Sequence, residues 1–467
     1  MTNSTPKIRT GFRRNENEPV LFLKTPGDYE WTPPALGDNK LLVMDTRTVT
    51  ATILDEPLPS EDLDGKTQLV WFYHNGNYLE EPISKLYDGT VLDLIPESWY
   101  EDIDAGNIKI IVHTAQESWG PLYKDKLNHM ESTDVHWHLQ TRAEALGINP
   151  KGIVWVTGDM NAEECVSKQN CDVQVKSSCQ FLYSIANIVE SEKLTPEDFY
   201  YAPESIDDIQ NFAIMPNRWP KAHRSYMIAR LWQKQHEVSQ YGNYNAVNGY
   251  YNEELEKHVP GINWSFPKRL HGHDICMSYC DLKYKAEHFA EFDTKELIQW
   301  EQLRNYSLDV FYHLPFTIDP VNFSENNCAG IDAMVSIKNE YNASAFALVT
   351  ETWAEGGKMF ISDALMMSIL TCTPFIVVGN AGTLEFVRSK GFKTFYDFWD
   401  ESYDTIEDDV ERWEAIINVV MGIGKQRTRD WKQMRLDMQN IVKHNFENFF
   451  ELADKEEQAL YEYLHSL

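Results

Sequence analysis

Short, unbroken apolar runs recur along this chain, each followed by a polar turn and then by residues at helical spacing. In the amino-terminal part they are KLLVMDT from Lys40, TQLVWFYH from Thr67, NIKIIVHT from Asn107 and GIVWVTG from Gly152. A strand with one wet face alternates apolar and polar residues; unbroken runs are what strands show when helices cover both faces of a parallel sheet. Between two of these runs, STDVHWHLQTRAEALGINP has helical spacing and ends in Gly147 and Pro150, which stop helices. A second alternation starts near residue 206 with NFAIMPN and the helix-like HRSYMIARLWQKQ, where Met227, Ile228, Leu231 and Trp232 share one face. It continues with SAFALVTET, SDALMMSILTC, PFIVVGN and TLEFVRSKGF. The pattern predicts an α/β protein of doubly wound, Rossmann-like sheets.

At 467 residues the chain has room for roughly two to four domains. The two alternations divide it into an amino-terminal Rossmann-like domain over 1–205 and a second one over 206–430. The aromatic-rich stretch 235–325 breaks the second rhythm and reads as an insertion. From about Asp404 the sequence is helical in period, and 431–467 reads as closing helices. The acidic run from Asp397 to Glu414 reads as a solvated helix face and connector. With 43% hydrophobic and 24% charged residues the chain is expected to pack rather than stay disordered.

Charge and cysteines narrow the function classes. Against 72 Asp and Glu stand 42 Lys and Arg, a formal net charge of −30, which repels nucleic acid and anionic lipid over most of the surface. No apolar run approaches the ~20 residues a membrane helix needs, and the start MTNSTPKIRTGFRRNENEP lacks the apolar core of a signal peptide. A cytoplasmic protein without a membrane partner is expected. The seven scattered cysteines suit free thiols in a reducing compartment.

Polar residues just after the strands are the candidates for chemistry, because open parallel sheets bind ligands at the carboxyl ends of their strands. MPNRWPKAHR, from Met215 to Arg224, joins a strand to a helix and gathers Arg218, Lys221, His223 and Arg224 in an otherwise acidic chain. Guanidinium forks at a helix start suit a pyrophosphate, and a basic cap over neighbouring carboxylates is the plainer alternative. Glu351, at the end of SAFALVTET, is placed to accept hydrogen bonds from ribose hydroxyls, or is simply a solvated loop residue. Lys358 follows it in a glycine-containing loop. Gly379 and Gly382 in PFIVVGNAGTLE permit close backbone approach, which packing alone also explains. In the first half, His113, Glu117 and Asp159 follow strands and are the candidates for a general base toward an acceptor hydroxyl. His136 and His138 read as surface or packing residues. The segment from His271 to Cys280 contains zinc-binding atoms without a recognised ligand spacing, so no metal is expected. Walker-type, HExxH and GxSxG motifs are absent from the sequence.

Four stretches carry a resemblance: VWVTGDMNAEE, MPNRWPKAHRSYMIARL, ALVTETW and PFIVVGNAGTLEFVRSKGFKTFYDFWDESYD, with IVKHNFENF near the end. In this order, over roughly residues 150–450, the chain resembles the GT-B-type glycosyltransferases of tailed bacteriophages, cyanophages among them. The resemblance implies two Rossmann-like domains facing a cleft. It also implies a nucleotide-sugar donor, a UDP-sugar first among those expected, held by Arg218, His223, Arg224, Glu351, Lys358, Asp363, Gly379 and Gly382. It implies a hydroxyl acceptor, either a hydroxymethylated pyrimidine in phage DNA or a glycan, no bound cofactor, and action in the host cytoplasm. The sequence departs from the family at Ser362–Ile369, where Asp363 keeps a carboxylate but Ala364 and Met367 stand in place of two lysines. A GT-B scaffold that binds carbohydrate, nucleotide or protein without turnover is therefore the alternative.

Overall fold

The computed structural model describes residues 41–45, 67–73, 92, 95–114, 135–191, 203–216, 223–224, 226–227, 230–231, 234, 250–252, 257–259, 262–265, 338–354 and 359–467. The described residues within Lys7–Glu192, Gly356–Ile361 and Glu451–Leu467 form one compact unit, the amino-terminal unit. Those within Lys193–Glu355 and Ser362–Phe450 form a second, the carboxyl-terminal unit. Each unit is built on a parallel sheet with helices, so the α/β class follows from the unbroken apolar runs as argued.

The sheet of the amino-terminal unit has five strands: β1 (Leu41–Asp45), β2 (Gln68–Tyr73), β3 (Ile108–Thr114), β4 (Ile153–Thr157) and β5 (Gln174–Ser177). They stand in the order β1-β2-β3-β4-β5, all parallel. The described strands of this sheet therefore contain no reversal of order, so the doubly wound order expected of this half is not seen among them. Helices α1 (Tyr100–Ala105), α2 (Val135–Leu146), α3 (Ala162–Ser167) and α4 (Gln180–Ser191) accompany them. All five residues of β4 are buried, and so are six of the seven in β3. That is the signature of central strands covered on both faces. The core joins Ile110, Val112, Ile153 and Trp155 of the sheet to Trp99, Ile103, Val135, Leu139 and Ala143 of the helices. His136 is fully buried in this layer, stacked on Trp155 with ring centroids 6.1 Å apart and hydrogen-bonded through Nε2 to Gln169 at 2.7 Å. It packs, as the sequence suggested.

The carboxyl-terminal unit holds β6 (Asn211–Pro216), a hairpin of β7 (Tyr250–Asn252) and β8 (Lys257–Val259), β9 (Ile262–Ser265), β10 (Ser344–Thr350) and β11 (Phe375–Val378). Its four-stranded parallel sheet has the order β11-β10-β6-β9. β9 falls inside the aromatic-rich stretch 235–325 and pairs with β6, so part of that stretch contributes to the sheet. Helices α5 (Lys338–Asn342), α6 (Asp363–Leu370), α7 (Thr383–Ser389), α8 (Asp409–Gly424) and α9 (Thr428–Asp437) follow, and the last helix, α10 (Gln439–His465), belongs to this unit as far as Phe450 and to the amino-terminal unit from Glu451. Every residue of β10 and β11 is buried. Phe212 on β6 meets Phe346 on β10 and Trp431 on α9 edge to face, at 5.1 and 5.5 Å between centroids. Among the described residues no helix is long and apolar enough to cross a membrane. The four described cysteines, Cys165, Cys171, Cys179 and Cys372, are free thiols.

The acidic run Asp397–Glu414 is solvated at Asp397, Asp400, Glu407, Asp408 and Glu411, as its charge suggested, but not throughout. Asp404 is 4% exposed, and its two carboxylate oxygens accept the N–H groups of Leu384 and Glu385 at 2.8 and 2.9 Å. Its carbonyl accepts the N–H of Gly382 at 2.7 Å. The first turn of α7 has donors with no partner inside the helix, and a carboxylate from a later segment satisfies them. Glu401 likewise accepts the N–H of Phe395 at 2.6 Å and pairs with Arg388. Composition showed the charge; only the fold shows that Asp404 and Glu401 turn part of it inward. Asp404→Ala leaves two backbone donors of α7 unpaired and is expected to cost about 2 kcal/mol in urea unfolding, with Asp404→Asn losing less than half of that.

Candidate functional site

Among the described strands of the carboxyl-terminal sheet the order reverses once. From β6 the chain goes to β9 on one side, then returns to place β10 on the other side of β6. Crossovers leave opposite faces on either side of such a point, which opens a crevice at the carboxyl ends of the two strands. Pro216 ends β6 and Thr350 ends β10. Among the described residues that come after these ends, His223, Arg224 and Glu351 meet at the end of β10.

Glu351 is fully buried. Its N–H extends the sheet by donating to Val378 O at 3.0 Å, which fixes the backbone at the strand end. The carboxylate turns toward α6, and Oε2 accepts the Ser362 N–H at 2.8 Å. Oε1 is buried and has no hydrogen-bond partner among the described residues. Burial is the main cause that pushes this carboxyl up to about 7; the hydrogen bonds from Ser362 and the Arg224 charge pull it down, and Asp363 pushes it further up. A buried carboxyl with one oxygen satisfied and one open can accept one more donor, or carry a proton there itself.

His223 and Arg224 are helical, as are Tyr226, Met227, Arg230, Leu231 and Lys234, and both are buried. His223 Nε2 lies 2.7 Å from Glu351 O, and since a carbonyl only accepts, this nitrogen carries the hydrogen. Arg224 Nη2 donates to Thr350 O at 3.1 Å and to Glu351 O at 3.4 Å. The sequence suggested that these two basic groups reach a phosphate. In the structure they grip the main chain at the end of β10, and so hold Glu351 in place.

The remaining donor-side candidates differ in how they are placed. Asp363 opens α6 beside the N-cap Ser362, whose side chain accepts the Ala364 N–H at 3.3 Å. Met367 is buried in the same helix and packs as core. Gly379 is required by close approach: a Cβ there would lie 2.6 Å from Thr383 Oγ1. Gly382 has φ +82, which glycine tolerates, and it leads into the α7 turn whose N–H groups Asp404 already occupies. The glycines thus serve packing and an internal cap. Arg218, Lys358 and Glu117 lie outside the described residues, as does the His271–Cys280 segment.

In the amino-terminal unit, His113 sits near the end of β3, opposite Tyr73 of β2 and Val156 of β4, and is fully buried. Burial drives its pKa down to about 3 against a partial lift from Gln180. A histidine this hard to protonate is a poor acceptor for a hydroxyl proton at neutral pH. Asp159 follows β4 and is fully buried; its Oδ1 accepts the N–H of Asn161 and that of Met359, both at 3.1 Å. Met359 also accepts the Met160 N–H at 2.8 Å, so Asp159 and Met160 hold Met359 within this unit.

Two functional-looking residues escaped the sequence reading. Arg412 and Glu414 on α8 are both hydrogen-bonded into the carboxyl-terminal unit, yet they lie in the run read as solvated. A signal was present for Arg412, since it lies four residues before Ile416 and eight before Val420, both buried on that helix. A charged residue on the apolar face of a helix has to find partners inside. No model of a known protein family and no curated protein matches this chain.

Proposed function

We propose that the chain is a glycosyltransferase that moves a sugar from a nucleotide diphosphate donor to a hydroxyl acceptor, using the carboxyl ends of β6 and β10 as the donor site. The observation that carries this reading is the meeting of Glu351, His223 and Arg224 at a point where the order of the described strands of the carboxyl-terminal sheet reverses. The open Oε1 of Glu351 suits a hydroxyl donor such as a ribose. On this reading the chain has the two Rossmann-like halves of GT-B enzymes, of the phage type its sequence resembles. The acceptor is a hydroxyl on modified DNA or a glycan, and a DNA acceptor has to overcome the net charge of −30 with a local basic patch. His113 and Asp159 support the strand ends of their unit in this assignment rather than transferring protons.

A second reading, a scaffold that binds without turnover, is favoured by one set of contacts. Arg224 is engaged on carbonyls, Met367 is core, and the α7 start is filled by Asp404, so three features expected to meet a diphosphate are used internally. Thermal melting against UDP-, GDP-, CMP- and dTDP-sugars and the free nucleotides, without added metal, separates the readings. A donor at about 100 times its dissociation constant stabilises by about 2.7 kcal/mol and should raise the melting temperature by several degrees. A shift with one nucleotide class supports the transferase; a cooperative melt that no donor moves would turn the assignment to the binding scaffold.

A further inference from the structure

We propose that one turn of α8, Arg412–Trp413–Glu414, is the positioning element of the site at the ends of β6 and β10. Glu414 holds the helical segment that bears His223 and Arg224, and Arg412 holds the segment that bears Glu351. What is being positioned rests on the donor-site reading above; the couplings themselves stand on geometry.

Arg412 is 1% exposed, and its guanidinium is distributed over main-chain carbonyls. Nε donates to Gly379 O at 2.9 Å, just beyond β11, and Nη2 donates to Ala354 O at 3.0 Å, three residues beyond Glu351. Nη1 donates to Ile406 O at 2.6 Å and Glu407 O at 3.3 Å, and Nη2 also meets Asp409. One planar fork therefore ties together the end of β11, the segment after β10 and the start of α8. A lysine keeps the charge but cannot span these acceptors, because its single nitrogen lacks the fork.

Glu414 faces the other neighbour. Oε1 accepts the Tyr226 hydroxyl at 2.7 Å, and the carboxylate takes Arg230 through Nε at 2.5 Å and Nη2 at 2.8 Å. Burial raises the Glu414 carboxyl, but the hydrogen bonds from Arg230 and Tyr226 outweigh it and leave the group below its ordinary value, so it is an anion at neutral pH. Trp413 lies between, with its ring centroid 5.3 Å from that of Tyr226 and 6.1 Å from that of His223. Residues two apart on a helix point about 200° apart, so a single turn can reach elements on two of its sides. Arg412 and Glu414 do this at the point where the two halves of the candidate site converge.

Amide hydrogen exchange on the full chain, with UDP-glucose titrations alongside, tests the proposal. Arg412→Lys should speed exchange at Glu351, whose N–H is bonded to Val378 O, by about tenfold or more while leaving residues 226–234 near wild type. Glu414→Gln should do the reverse, and Tyr226→Phe should give a weaker form of the Glu414→Gln pattern. Both main variants should weaken UDP-glucose binding about tenfold, whereas Phe449→Leu, a core change in α10, should not. Exchange that rises everywhere or in neither segment overturns the positioning role. The two segment-specific patterns in a protein that does not bind UDP-glucose would uphold the role and count against a UDP-sugar donor site. Should Arg412→Lys fail to fold, Glu414→Gln and Tyr226→Phe still decide the matter for the His223 side.

Discussion

Glu351→Gln is expected to make the protein more stable at pH 8 while removing most of its affinity for a nucleotide-sugar donor. Burial lifts the Glu351 carboxyl from its ordinary 4.5 to about 7. Below pH 4.5 it is protonated in both folded and unfolded chains. As the pH rises from 4.5 to about 7 the unfolded chain releases the proton first, so stability is lost across this window and levels off above it. The gap corresponds to roughly 3 kcal/mol. Glutamine keeps an oxygen for the Ser362 N–H and carries no charge, so most of that loss should disappear. Allowing for the buried amide's own unmet donors, a net gain of about 2 kcal/mol would raise the pH 8 melting temperature by roughly 5 °C, with no gain at pH 4. Donor affinity should fall by about tenfold to a hundredfold if Glu351 accepts a hydroxyl of the donor. Melting curves at pH 4 and pH 8 check the first part. A variant destabilised equally at both pH values would mean that Glu351 is not held near neutrality.

His113 carries the second large effect, with the opposite pH sense. Its pKa is depressed from 6.5 to about 3 because charging it inside the amino-terminal unit is costly. Above pH 6.5 it is neutral in both states, and its contribution to stability is fully present. As the pH falls toward 3, the unfolded chain takes up the proton first and stability is lost. By pH 4.5 this single residue should account for about 3 kcal/mol of destabilisation. His113→Gln removes the titration, so the difference in stability between pH 7.5 and pH 4.5 should be about 3 kcal/mol smaller in the variant, measured by urea unfolding of the amino-terminal transition. Equal slopes in the two proteins would show that His113 titrates normally and would return it to consideration as a proton acceptor.

How far the sequence exposes this molecule depends on the length scale of the physics involved. The strands β3, β4, β10 and β11 were legible because burial on both faces writes itself as an unbroken apolar run. Glu351 was legible because a carboxylate directly after such a run has to sit at a strand end. That Arg224 follows the end of a strand was also legible, but its partners at the end of β10 were not. A guanidinium fits a phosphate or a carbonyl equally well, and only the fold brings Thr350 O within reach. β9 was hidden because its four residues, Ile262–Ser265, are too short to show a period among the surrounding aromatics. Asp404, Arg412 and Glu414 were hidden by their own charge, which reads as solvation until partners 20, 33 and 184 residues away are placed beside them.

The most direct test of the donor site is calorimetric titration of UDP-, GDP-, CMP- and dTDP-sugars into the wild-type protein and into Glu351→Gln at pH 8. A site built on Glu351 at the β6–β10 switch point predicts that one nucleotide class binds the wild type and loses at least tenfold in affinity with the variant, while the variant melts no lower. Binding of equal strength to both proteins, or of no donor to a wild type that melts cooperatively, would contradict it.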